Sequence, residues 1–188
     1  MDRAEETSLL NTFELIVDTR EQRTARAKKR FDSFSVPYKK GVLDFGDYTW
    51  NITLKEGQMY DIEKRIYPKC VVERKMSLDE LAGNMSRDRE RFKREFERAA
   101  KAGAIVYLVC ENGSWEKILS GSYRSRMNPK AFFNSLIAWE ARYNLRIVFC
   151  HPDTTAKLIQ EILYRDLKQR IENGEIDVQQ HGVLSDMV

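Results

Sequence analysis

The chain has 188 residues, of which 42% are hydrophobic, 11% aromatic and 32% charged; this is one domain's length and too apolar for a disordered chain. Its 32 Lys and Arg against 29 Asp and Glu leave a formal charge of +3, too small by itself to demand a polyanionic partner. No apolar run approaches the roughly 18–20 residues that cross a bilayer, and Asp2, Arg3, Glu5 and Glu6 precede any apolar stretch, the wrong order for a secretory signal, so a cytoplasmic, intracellular location away from membranes is expected.

Residues 1–12 read as an N-terminal extension. Phe13 to Asp18 is a short apolar run ending in polar residues, which predicts a strand; a helix-permissive stretch follows through Phe34 and is closed by Pro37. Inside that stretch Arg23, Arg26, Lys28, Lys29 and Arg30 form a run of cations with no acid among them, a candidate phosphate-facing surface. Tyr48 to Leu54, a turn at Lys55-Glu56-Gly57-Gln58 and Met59 to Ile66 read as a hairpin leading to a strand at Cys70 to Lys75. Ser77 with Glu80 three residues on is a capping box, and helical character then continues, interrupted near Gly83, to about Ala102.

Ala104 to Glu111 predicts a buried strand. Asn128-Pro129 starts a helix whose Phe132, Leu136, Trp139 and Tyr143 share one face, a core stripe. Leu145 to His151 is another β run, and Thr154 to Ile171 a final amphipathic helix with Ile159, Leu163 and Leu167 spaced by four. Asn173-Gly174 ends it, and 173–188 is expected to be a loose tail. Such alternation predicts an α/β fold, a central mixed sheet flanked by helices on both faces, because parallel neighbours need helical crossovers. Cys70, Cys110 and Cys150 sit in or at the end of β-like runs without CxxC spacing and read as packing residues. His151 and His181 are too few for a histidine-based zinc site.

Chemistry concentrates at three predicted strand ends. Glu73 and Lys75, two apart, project from one face of their strand. Asp47 follows Gly46 at a strand start, and if the two strands are neighbours the two carboxylates converge. Converging carboxylates repel unless a cation sits between them, and Mg²⁺ answers that need with hard oxygen ligands and open positions for water and phosphate. Lys75 would orient or deprotonate the attacking water. Taken alone a Glu-x-Lys is usually a solvated cross-strand pair; the coincidence of three acidic motifs at strand ends shifts the balance. Arg87, Arg91, Arg94 and Arg98 form a helical stripe opposite Phe92, Phe96 and Ala99. Glu90, Glu95 and Glu97 flank it, so a solvated face and a phosphate-binding face weigh about equally. The loop Gly121-Ser122-Tyr123-Arg124-Ser125-Arg126 is basic with one aromatic, suited to backbone contact or base stacking, although a plain surface loop is the commoner outcome.

Gly46-Asp47, 25 intervening residues, then Glu73-Arg74-Lys75-Met76-Ser77-Leu78-Asp79, with Val17-Asp18-Thr19-Arg20-Glu21-Gln22 ahead, resembles the nuclease domain of XPF-type structure-specific endonucleases in the PD-(D/E)xK superfamily. The resemblance spans about Phe13 to Arg170 and implies a restriction-endonuclease-like fold with a nuclease domain over 13–172. It implies Asp47 and Glu73 as metal ligands, Lys75 as the catalytic lysine, Asp18 and Glu21 as further acidic site positions with Glu21 a third ligand, and Arg74 and Asp79 as the rest of the signature. What it implies in function is a DNA endonuclease using Mg²⁺, or Mn²⁺ as a substitute, in repair or recombination. The DNA-binding set is then Arg87, Arg91, Arg94, Arg98, Arg23, Lys28, Lys29, Arg124 and Arg126. The chain leaves no room for the helix-hairpin-helix domains common after this domain, so a homodimer or a partner subunit is expected to supply recognition of DNA structure. The rival expectation is a catalytically silent DNA-binding or scaffolding module, and a weaker third is a nuclease acting on RNA.

Overall fold

Cys70 to Lys75 is apolar on both faces of its first half, the pattern of a strand covered on both sides, and it lies inside the sheet. The computed structural model describes residues 3–22, 24–53 and 68–176. Its strands are β1 (Glu14–Asp18), β2 (Tyr38–Gly41), β3 (Tyr48–Asn51), β4 (Cys70–Lys75), β5 (Ile105–Glu111) and β6 (Leu145–Cys150). They form one sheet in the order β2-β1-β3-β4-β5-β6. β3 runs antiparallel to β1 and β4, while β1–β2, β4–β5 and β5–β6 are parallel. Each parallel pair has helical crossovers, as parallel geometry requires: α2 (Ala25–Asp32), then α3 (Leu78–Met85) with α4 (Arg89–Lys101), then α5 (Trp115–Ser120) with α6 (Pro129–Arg142). α1 (Arg3–Leu10) precedes the sheet and α7 (Thr155–Glu172) ends the fold.

Alternation along the strands sends apolar side chains to two separate cores. Val71, Val106, Leu108 and Cys110 pack with Leu81, Phe92, Phe96, Leu136 and Trp139 from α3, α4 and α6. Leu15, Val17, Val72 and Val109 pack on the other face with Phe31 of α2 and Ile159, Leu163 and Leu167 of α7. The fold is therefore the expected α/β arrangement. Among the described residues no helix is long and apolar enough to cross a membrane.

Local signals account for most boundaries. Ser77 Oγ accepts Glu80 N–H at 3.2 Å, and Asn128 Oδ1 accepts Ala131 N–H at 3.1 Å with Pro129 in the first turn. The helix expected to run to Ala102 is two helices: the chain turns over 86–88, where Ser86 Oγ donates to Ala82 O at 2.6 Å and Asp88 N–H reaches Gly83 O, while Gly83 itself lies within α3. α1, α5 and β2 carry no strong periodicity; β2 reads Tyr-Lys-Lys-Gly, the lysine-bearing type of strand found at sheet edges. Only the start of the expected hairpin is described, as β3; the turn and second strand over 54–67 lie outside the described residues. The tail begins packed rather than loose, since Ile176 is buried in the α7 core and Glu175 pairs with Arg170 at 2.6 Å; 177–188 lie outside the described residues. Cys70 and Cys110 are buried, Cys150 is half-buried, and all three are free thiols.

Gly46 is where chain geometry and site meet. Its φ is +75°, and an added Cβ would stand 2.7 Å from Val71 Cβ. A Gly46→Ala variant combines left-handed strain of ~1–2 kcal/mol with overpacking of ~1–3 kcal/mol. Urea denaturation is expected to show a stability loss of about 2–5 kcal/mol; an unchanged midpoint would mean that this approach is not tight.

Candidate active site

Two backbone hydrogen bonds insert Asp47 between strands. Its carbonyl accepts Asp18 N–H at 2.8 Å and its N–H donates to Val72 O at 2.8 Å, extending the ladders one residue past Tyr48, which stands opposite Val17 and Val72. Residues opposite one another in antiparallel strands point to the same face. Asp47 thus shares a face with Glu73 and with Lys75, two further on, and its Oδ2 accepts Arg74 N–H at 2.8 Å. The structure brings Asp47, Glu73 and Lys75 together on the side covered by α3 and α4.

Their charges are strongly coupled. Lys75 Nζ lies 2.7 Å from Glu73 Oε1, 3.9 Å from Glu80 Oε1 and 4.8 Å over the Phe92 ring. Burial works to lower the Lys75 pKa, but Glu73 and Asp47 outweigh it and hold the amine above its ordinary value. Lys75 is therefore an ammonium at neutral pH, a donor and counter-charge rather than a base. The Asp47 carboxyl moves the opposite way. Burial first, and the Glu73 charge second, raise it well above the usual carboxylate range, against the pull of Lys75 and the Arg74 N–H.

Glu80 and Glu95 belong to this constellation without having been singled out for it. Glu80 serves the capping box and accepts Met76 N–H at 2.8 Å. Glu95, on α4, lines a narrow recess with Glu73, Phe45, Gly46 and Phe96, and burial followed by the Glu73 charge raises its carboxyl. The available sequence signal was its place beside Phe96 and three residues after Phe92, at the border of the buried face.

Arg74, between Glu73 and Lys75, projects from the opposite face. There it pairs with Glu21 at 3.3 Å and Glu111 at 3.7 Å. Arg30 pairs with the same two acids, and the Tyr48 hydroxyl accepts Arg30 Nε–H at 2.9 Å while donating to Glu21 Oε1 at 3.2 Å. Two guanidiniums and two carboxylates neutralise one another in a layer largely shielded from solvent. Among the described residues no three His, Cys, Asp or Glu side chains stand close enough to hold a metal ion. The expected ligand set of Asp47, Glu73 and Glu21 is thus not assembled, because Glu21 is engaged by arginines across the sheet. Arg30 belongs to the cationic run expected to face phosphate, and Glu111 ends the apolar run of β5; the partners of both are set only by packing.

Asp18 and Asp79 both bind backbone N–H groups of loops. Asp18 Oδ1 accepts Arg20 N–H and Nε–H, both at 2.7 Å, and Oδ2 accepts Arg20 Nη2 at 3.1 Å and Leu43 N–H at 2.8 Å. Four bonds use the capacity of a carboxylate, so Asp18 shapes the loop after β2. Asp79 accepts N–H groups from Arg124 and Ser125 at 2.6 and 2.7 Å and fastens that loop to α3.

The expected DNA-binding cations do not form one surface. On α4, Phe92 and Phe96 pack on Trp139 at centroid distances of 5.5 and 5.2 Å, leaving Arg91 and Arg94 exposed. Arg98 instead donates Nε and Nη2 to Asp44 O at 3.0 and 2.9 Å, bracing the loop that leads to Asp47. Lys28 and Lys29 are exposed on α2, across the sheet, with Lys29 paired to Asp153 at 2.9 Å; Arg30 of that cluster is buried, and Arg23 lies outside the described residues. Arg87, Arg124 and Arg126 are exposed near α3.

Residues 17–162 match the ERCC4 domain. Among solved structures the chain is similar to XPF from Aeropyrum pernix, with 21% identity and a TM-score of 0.56 over 79% of this chain. The match spans 64% of that chain, and the likeness is one of fold. No curated protein matches the sequence.

A raised Asp47 pKa means that the folded chain binds a proton more tightly than the unfolded chain, whose Asp titrates near 3.8. At neutral pH the ionised carboxylate therefore costs stability, and the cost fades as pH falls through the raised pKa toward 3.8. In metal-free buffer Asp47→Asn is expected to raise Tm by about 2–4 °C for each kcal/mol relieved, with the difference from wild type closing in acid. A lower Tm at neutral pH would contradict the clustered-charge picture.

Proposed function

The chain belongs to the ERCC4 domain family, and from that membership we propose that it is a Mg²⁺- or Mn²⁺-dependent endonuclease hydrolysing DNA phosphodiesters, with flap or branched DNA as its substrate class. The observation that carries this reading is the meeting of Asp47, Glu73 and the Lys75 ammonium at the end of β3 and β4, where Lys75 stands 2.7 Å from Glu73. Asp47 and Glu73 are the residues that would hold the ion. Two hard carboxylates suit Mg²⁺, which usually completes its shell with waters and substrate phosphate. When bound, the ion would lower the pKa of a water and offset charge on the phosphoryl oxygens.

The chain's own groups do the positioning. The Arg74 N–H fixes the Asp47 carboxylate at 2.8 Å, and the buried network behind β4 fixes Arg74. Lys75, charged at neutral pH, donates to the attacking water or to a phosphoryl oxygen as negative charge develops there. Arg98 holds the loop carrying Asp47. The silent-scaffold reading keeps one observation in its favour, the absence among the described residues of a three-carboxylate cluster.

Cleavage of end-labelled flap and duplex DNA with and without Mg²⁺ separates the two. Wild type is expected to cut flap DNA only with the ion, and Asp47→Asn or Glu73→Gln to lose on the order of 10²-fold or more in rate, since an ion of this kind contributes several kcal/mol. Mg²⁺ is also expected to raise the wild-type Tm by mass action and to leave Asp47→Asn unmoved. Equal cleavage by variants and wild type would trace the activity to a contaminant; binding without cleavage would support the scaffold.

A further inference from the structure

Asp79 opens a second feature of the surface. Its carboxylate holds the N–H groups of Arg124 and Ser125 and, at 3.2 Å, Arg124 Nε. Burial pushes the carboxyl up, but these donors prevail and bring it below its ordinary value. The loop 121–127 is thereby fastened to the first turn of α3. Between loop and helix lies a cleft of about 670 Å³, lined by Gly83, Ser86, Arg87, Arg124, Ser125 and Arg126 among others.

The lining states what the cleft would take. Three guanidiniums face one carboxylate, a local excess of positive charge. Arg87 and Arg126 are exposed and have no ion-pair partner among the described residues. Arg87 lies over the helix backbone, its Nη2 only 3.3 Å from where a Gly83 Cβ would stand; a glycine inside a helix costs about 1 kcal/mol against alanine, and here it leaves the cleft floor clear. The one aromatic of the loop is unavailable for stacking. Tyr123 donates its hydroxyl to Met127 O at 2.7 Å and packs edge-on against Phe132 at 5.5 Å. Guanidiniums and serine hydroxyls suit phosphate oxygens, and the loop offers no free ring on which a base could stack. The volume is that of a small-ligand site, sufficient for a nucleotide or two of one strand. The cleft also adjoins the candidate active site, because Glu80, next to Asp79 in the same helical turn, lies 3.9 Å from Lys75.

We infer that this cleft binds the phosphodiester backbone of a single DNA strand leading away from Asp47 and Glu73, with Arg87 and Arg126 as its anchors. The inference rests on the nuclease reading for its substrate and adds a strand preference to it. The probes are a fluorescein-labelled oligo-dT single strand, a flap DNA and a blunt duplex, titrated by anisotropy against the full chain in metal-free buffer at several salt concentrations. Arg87→Ala/Arg126→Ala is expected to weaken single-strand and flap binding by on the order of tenfold or more, about 1.4 kcal/mol or more. The salt slope should flatten by about 1.4, at ~0.7 per phosphate contact on a single strand, while duplex binding changes less than about twofold. Arg87→Lys/Arg126→Lys should keep the slope and recover part of the affinity, which a merely misfolded surface would not do.

Single-strand affinity and slope equal to wild type would overturn the cleft, as would an equal loss on duplex or a wild type that binds no DNA. The two readings fail separately. Wild type that cuts flap DNA beside unaffected variants removes the cleft alone, whereas variants that lose strand binding in a chain that never cleaves remove the nuclease alone.

Discussion

The constraint on which this site depends is a carboxylate held against another of like charge at the junction of β3 and β4. Asp47 cannot be moved freely, because its backbone is bonded to β1 on one side and β4 on the other. Gly46 adopts positive φ immediately before it against Val71, and Arg98 grips the carbonyl of Asp44 from α4. Each restraint acts on backbone, so the carboxylate keeps its place although its charge is unfavourable there. Lys75 answers only part of that charge. Burial and Glu73 still hold the Asp47 carboxyl well above its ordinary range, the electrostatic condition that a divalent ion would relieve.

Strand alternation divides the work of β4 between two environments. Glu73 and Lys75 face α3 and α4 and meet Asp47, whereas Arg74 faces α2 and α7 and joins Glu21, Arg30, Tyr48 and Glu111. The paired network is neutral as a whole, and removing one member of such a buried set typically costs about 3–5 kcal/mol. Its function is to hold, since the backbone N–H of Arg74 is what fixes Asp47. A three-residue motif thus supplies a carboxylate, a positioning backbone donor and a cation from two faces of one strand.

The remaining acids of the signature, Asp18 and Asp79, bind loops. Asp18 satisfies the loop after β2, and Asp79 the loop after α5. Both bind backbone N–H groups of segments far along the chain, which is a way to give loops fixed shapes beside a sheet end. α4 shows the same economy: its phenylalanines pack on Trp139 while Arg98 braces a loop and Arg91 and Arg94 stay exposed.

The sequence by itself determined the strands β1, β4, β5 and β6, the capped starts of α3 and α6, the core stripe of α6 and α7, and the meeting of Asp47 with Glu73 once neighbouring strands were assumed. These follow from periodicity, capping chemistry and the two-residue repeat of a strand, all local in the chain. It did not reveal β2, whose lysines mask an edge strand, and it put the helix interruption near Gly83 although the break lies over 86–88, where a hydroxyl bonds a helix carbonyl. Nor did it reveal which charges face inward. Arg30 and Lys29 are adjacent and alike, yet one is buried against Glu21 and Glu111 while the other lies in water with Asp153. Glu21 resembled a ligand and became an arginine partner. Only the tertiary structure decided these, because a side chain's charge is legible residue by residue, whereas its partner is chosen by segments that come together only when the sheet is formed.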